Sequence, residues 1–122
     1  MEMIEVKTAE LIGPALDWLA GTSCGVPMGV FSGVVYRKDL PGDTYGPGPL
    51  WYPSADWAQG GPIIEKFILG LKFCVFELPN ESWKAETHES WANGSTALIA
   101  SMRAIVHANF GDIVSVPKEL MQ

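Results

Sequence analysis

The stretch "STALIASMRAIVHANFG", Ser95–Gly111, decides the fold. Ser95 or Thr96 offers a hydroxyl oxygen to a first-turn N–H, and Gly111 supplies the residue type on which helices commonly end. Between them, at about 100° per residue, Leu98, Ile99, Met102, Ile105, Val106 and Phe110 fall on one apolar arc. Ala97, Ala100, Ala104 and Ala108 form a small-residue arc beside it, and only a narrow strip, Thr96–Arg103–His107, is left for polar atoms. So little polar surface predicts a helix over 96–110 buried on several sides, against a sheet and a second copy of the chain, hence a homo-oligomer.

Working outward, Ile4–Lys7 alternates apolar and polar residues and reads as a first strand. Thr8 is a candidate N-cap for a helix with Leu11, Ala15, Trp18 and Leu19 on one face. Gly13-Pro14 divides that helix, the longer piece starting at Pro14 and ending at Gly21. "VPMGVFSGVVY", Val26–Tyr36, has the β-branched and aromatic content of one glycine-bulged strand. Leu71–Glu77 is a further strand, "LPNES" a turn, and Ser82–Thr87 an antiparallel return carrying Trp83. "HESWANGSTA" reads as a loop with Trp91, and "IVSVPKEL" as a short edge strand before Pro117. The fold class is α+β, a small single domain over 1–122. Its two main helices pack on an antiparallel sheet of three to five strands.

Between Leu40 and Ile63 the composition shifts to glycine and proline, which predicts a long loop over 40–63. It carries Tyr45, Trp51, Tyr52 and Trp57, more large rings than a passive linker needs. Within it, "SADWAQGGPIIE" (Ser54–Glu65) sets an Asx-type turn former before Gly60-Gly61-Pro62, where the backbone is free to approach a ligand closely. This is the candidate binding segment. Trp57 would stack on a flat ligand, with Trp51 and Tyr52 beside it and Trp83 and Trp91 available from other segments. Asp56 and Gln59 would read polar edges, with Ser54 in the turn among the ligand-binding residues, while the Gly60 and Gly61 N–H groups and Arg103 would take phosphate or carboxylate. The competing reading folds Trp57 inward as a lid over the core.

Charge and motifs narrow the partners. Fourteen acids against eight bases give a net charge of −6, without a basic run. Polymeric nucleic acid is therefore a poor partner, because phosphate tracking needs clustered Lys and Arg. "FILGLKFCVF", Phe67–Phe76, falls well short of a membrane span and carries Lys72, and "MEMIEVKTAE" lacks the regions of a signal peptide. Cys24 and Cys74 read as reduced thiols. His88 and His107 fall on separate elements, and none of the common hydrolase, zinc, P-loop or dinucleotide motifs occurs. A non-enzymatic protein without metal or cofactor is expected. A hydrolase would need an acid/base pair such as Asp56 and Glu65.

"YPSADWAQGGPIIE" (Tyr52–Glu65), "STALIASMRAIVHANFGDIVSVPKEL" (Ser95–Leu120) and "ELIGPALDW" (Glu10–Trp18) together resemble the NinX-like family, small proteins of tailed bacteriophages and prophages with no assigned function. The resemblance carries over no catalytic residue. It implies a phage accessory protein of the bacterial cytoplasm, dispensable for making virions. Such proteins often counter host defence by binding an immune nucleotide signal or by blocking a host protein. The expected function is thus a binder that sequesters a small nucleotide-type signal. The alternative is an interaction module that inhibits a host enzyme through its exposed aromatic loop.

Overall fold

The computed structural model describes residues 2–40, 48–74 and 82–121. Tyr45, the part of the expected 71–77 strand beyond Cys74 and the turn at 78–81 lie outside the described residues.

The helix expected over 96–110 is the axis of the fold. It is α3 (Ala97–Phe110), capped by Thr96, whose Oγ1 accepts from the Ile99 N–H at 3.1 Å, and ended by Gly111 at φ 82°. Ala97, Leu98 and every residue from Ala100 to Val106 are buried. The burial comes from this chain itself. α1 (Gly13–Ser23) and α2 (Trp57–Phe67) pack on the large-residue arc, joining Leu16, Leu19 and Ile63 to Met102, Ile105 and Val106 in one core. The alanine arc lies against an antiparallel meander of β4 (Gly70–Phe73), β5 (Trp83–Glu86) and β6 (Trp91–Gly94). That approach is close, since a Cβ on Gly94 would stand 2.5 Å from the Ala100 nitrogen. The apolar circumference of α3 is accounted for within one chain, so it no longer argues for a second copy.

The remaining strands form two separate antiparallel pairs. β1 (Met3–Lys7) pairs with β7 (Ile113–Pro117), Val6 opposite Val114, close to the sequence expectation for both. β2 (Met28–Phe31) pairs with β3 (Val34–Arg37). α+β holds, with three α-helices and seven strands among the described residues, but the expected single sheet is three small antiparallel ones.

Four local expectations are corrected. The 26–36 strand is a hairpin, because Ser32 (φ 53°) and Gly33 (φ 75°) both turn left-handed, the backbone that a two-residue hairpin turn requires. Thr8 opens a short 3₁₀ turn instead of capping α1, its hydroxyl donating to the Gly111 carbonyl at 2.6 Å. Trp91–Gly94 is strand and not loop, its backbone paired with Trp83–Glu86. The irregular segment expected over 40–63 ends at Asp56, where the Asp56 carboxylate accepts from the Ala58 N–H and starts α2. Pro62 lies inside that helix. An interior proline costs about 3 kcal/mol or more, which the packing of Gly60 and Ile63 against the body of the domain offsets.

Candidate ligand cleft

The Ser54–Glu65 segment and the residues leading into it are anchored by bonds to α1 and to each other. Trp51 is a core ring, 6% exposed, with its Nε1 donating to the Asp17 carbonyl at 2.9 Å. Ser54 is buried, its N–H donating to the Asp17 carboxylate at 2.8 Å. Gln59 holds the chain entering the segment: its Oε1 accepts from the Tyr52 N–H at 2.6 Å and its Nε2 donates to the Leu50 carbonyl at 3.0 Å. Asp56 caps α2, and the Gly60 N–H closes the first helical turn on the Asp56 carbonyl at 2.8 Å. Gly60 serves close packing, since a Cβ there would lie 2.5 Å from the Pro53 oxygen. Ser54, Gln59, Gly60 and Trp51 are thereby committed to the fold, which corrects their expected role as free ligand contacts.

Trp57, Tyr52 and Gly61 differ. Trp57 is 57% exposed and Tyr52 44%, so the indole faces outward, and a Cβ on Gly61 would meet nothing within 4 Å. Trp57 nevertheless lines none of the three clefts considered below.

Arg103 is also corrected. It is 4% exposed, with Nε donating to the Leu11 carbonyl at 2.8 Å and Nη1 to the Asn93 carbonyl at 2.9 Å. A side chain on the polar strip of α3 thus stitches the segment just before α1 and strand β6 to the central helix.

The Arg103 contacts point to a cleft of about 620 Å³ that residue types and spacing did not foresee. Its floor is α3, through Arg103 and His107. One wall is Trp91–Asn93 on β6, an outer strand of its sheet; the facing side is Lys7–Ala9, where β1 runs into the 3₁₀ turn, with Asp112 and Ile113 closing the rim. A ligand pocket of small-molecule size spans about 300–1,000 Å³. Two further clefts, of about 250 and 290 Å³, fall below that range.

Two features give the large cleft chemical character. Trp91 is 56% exposed, and the Lys84 ammonium lies 4.7 Å from its ring centroid, a cation–π pair on the solvent face of the meander. Antiparallel register places Lys84 opposite Asn93 and two pairs along from Trp91, so ring, cation and amide share a face. The second feature is the Asn93 side-chain oxygen, buried without a hydrogen-bond partner.

Beside the cleft His107 joins two segments. Its Nδ1 is hydrogen-bonded to the Ser90 hydroxyl at the tip of the β5–β6 hairpin, and its Nε2 to the Asp112 carboxylate at 2.5 Å. The Asp112 carboxylate can only accept, so Nε2 is the donor of that bond. Residues 90, 107 and 112 lie on three different segments, so spacing gave no sign of the cluster. Ser90 itself lines none of the three clefts. Burial pushes the Cys24 thiol up, Lys66 opposing, so its nucleophilic thiolate is disfavoured. Among the described residues no group of three or more His, Cys, Asp or Glu side chains is placed to hold a metal ion. No helix among them is long and apolar enough to cross a membrane.

No curated protein matches the sequence. A family model described as "Bacteriophage P22, NinX" matches residues 7–109, covering the whole of α1, α2 and the meander and all but the last residue of α3. The function of that phage family is unknown. With most of the chain matched, the protein belongs to the bacteriophage P22 NinX family.

Proposed function

We propose that the protein is a phage accessory protein that acts in the host cytoplasm and sequesters a small, flat, nucleotide-type signal of host defence without turning it over. The observation that carries the reading is the 620 Å³ cleft walled by Trp91. An exposed indole at the rim of a cleft offers a base a stacking face worth about 1–3 kcal/mol. Lys84 over the same ring and Lys7 across the cleft supply cations for phosphate on a chain whose net charge is −6. The candidate site moves from the Ser54–Glu65 segment to β6 and α3 because that segment's polar groups are occupied within the fold.

Calorimetric titration against a panel of cyclic and ADP-ribose-derived nucleotides tests the reading. At least one member binds tighter than high micromolar, Trp91→Ala abolishes that binding, and chromatography recovers the ligand intact. No binding by any member would remove the proposal, and turnover would replace sequestration with catalysis.

A second reading rests on Trp57 and Tyr52, which are exposed on a segment that lines none of the described clefts. Exposed rings of these types are favoured interface anchors, suited to inhibiting a host enzyme. A stoichiometric host protein captured by the wild type, lost with Trp57→Ala and retained with Trp91→Ala, supports it.

A further inference from the structure

We infer that the cleft prefers a purine whose N6/N7 edge carries an N–H donor, the adenine class, over one with a carbonyl at position 6. The inference rests on the preceding reading that a nucleotide occupies this cleft, and it names the base. Asn93 Oδ1 is the observation behind it: a side-chain amide oxygen, buried, without a hydrogen-bond partner, on a residue lining the cleft. The oxygen accepts and cannot donate. Its desolvation is uncompensated until a ligand brings a donor, so binding energy is available to an N–H group there.

The position of Asn93 is fixed on two sides. Its carbonyl takes the Arg103 Nη1 donor at 2.9 Å, and strand pairing sets it opposite Lys84 of β5. Two residues away on the same face, Trp91 offers its ring for stacking. Asparagine reads adenine through N6 and N7, its oxygen accepting from the amino group. Hypoxanthine presents O6 and N7 on that edge, both acceptors, which sets oxygen against oxygen. Purine riboside has no group at position 6, so it removes the donor without adding an acceptor.

The experiment is calorimetric titration of the intact chain with AMP, IMP and purine riboside monophosphate. AMP binds at least about fivefold more tightly than either of the others, the lower end of the discrimination that a well-placed amide gives. In Asn93→Leu that preference disappears, with thermal melting confirming that the variant is folded. Asn93→Asp retains an acceptor that cannot turn a donor toward the ligand, and it keeps the preference if it folds. Equal binding of AMP and IMP, or a preference that survives in Asn93→Leu, overturns this inference and leaves the cleft reading standing. Failure of all three probes, together with the wider nucleotide panel, overturns both.

Discussion

The carboxylate of Asp17 accepts the Ser54 N–H at 2.8 Å, and this bond sets the path of the chain from β3 to α2. The Asp17 carbonyl accepts the Trp51 indole N–H at 2.9 Å, so one residue of α1 holds both ends of the 51–54 segment. Burial pushes the Asp17 carboxyl up from 3.8 to about 6, and the Ser54 hydrogen bonds pull the other way. A folded value above the unfolded one means that the folded state binds the proton more tightly. This contribution to stability is full below about pH 4 and is lost as pH rises through about 6. The interval corresponds to roughly 3 kcal/mol. Asp17→Asn keeps an acceptor for Ser54 and removes the titration. Thermal melts at stepwise pH will show the melting temperature of the wild type falling, relative to that of Asp17→Asn, between pH 4 and 7. Parallel curves would refute the assignment.

Adjacent glycines in α2 separate packing from backbone freedom. Gly60→Ala puts a methyl 2.5 Å from the Pro53 oxygen and 2.6 Å from Leu98 Cδ2. It destabilises by about 1–3 kcal/mol, the usual cost of overpacking. Gly61→Ala meets nothing within 4 Å and stabilises by up to about 1 kcal/mol through helix propensity. Urea denaturation of the two variants will give shifts of opposite sign.

The two tryptophans bracketing this segment have different duties. Trp51→Ala removes a core ring and a buried hydrogen bond, and costs about 3–5 kcal/mol. Trp57→Ala trims an exposed ring and costs less than about 1 kcal/mol. On the proposed nucleotide reading it leaves binding at the Trp91 cleft unchanged. Comparable destabilisation by both variants in chemical denaturation would contradict the burial described above.

Arg103→Met strips the Leu11 and Asn93 carbonyls of their guanidinium donors. Each buried acceptor left unpaired costs about 1–3 kcal/mol. Arg103→Lys also destabilises, because a single ammonium does not reproduce the guanidinium fork that reaches two elements. Hydrogen exchange should accelerate at β6 and around Leu11, just before α1, in both variants. Unchanged exchange at those sites would show that Arg103 does not tether them.

Much of the fold was legible because it rests on local pattern. The two arcs of α3, its Thr96 cap and its Gly111 stop follow from neighbouring residues, as do the alternation in β1 and β7. Of the two orientations that the Gly/Pro-rich segment allows for Trp57, the outward one is found. The Ser32-Gly33 dipeptide did signal a hairpin, and the smooth β-branched run on either side of it masked that signal. α2 was hidden by Gly60, Gly61 and Pro62, three poor helix formers whose cost is offset only by contacts with Pro53, Leu98 and the core.

By itself the sequence determined that this chain is an α+β domain organised around one nearly all-apolar helix, because periodicity and capping act over a few residues. Tertiary structure alone decided which polar groups remain available to a partner. Asp17 and Arg103 each find main-chain partners on distant segments. Trp91 and Asn93, placed on the outer strand of the meander beside the central helix, become the wall of a cleft. The physical reason is that a side chain's hydrogen bonds are filled by whatever the fold brings within about 3 Å of it, and the order of residues along the chain does not specify that neighbour.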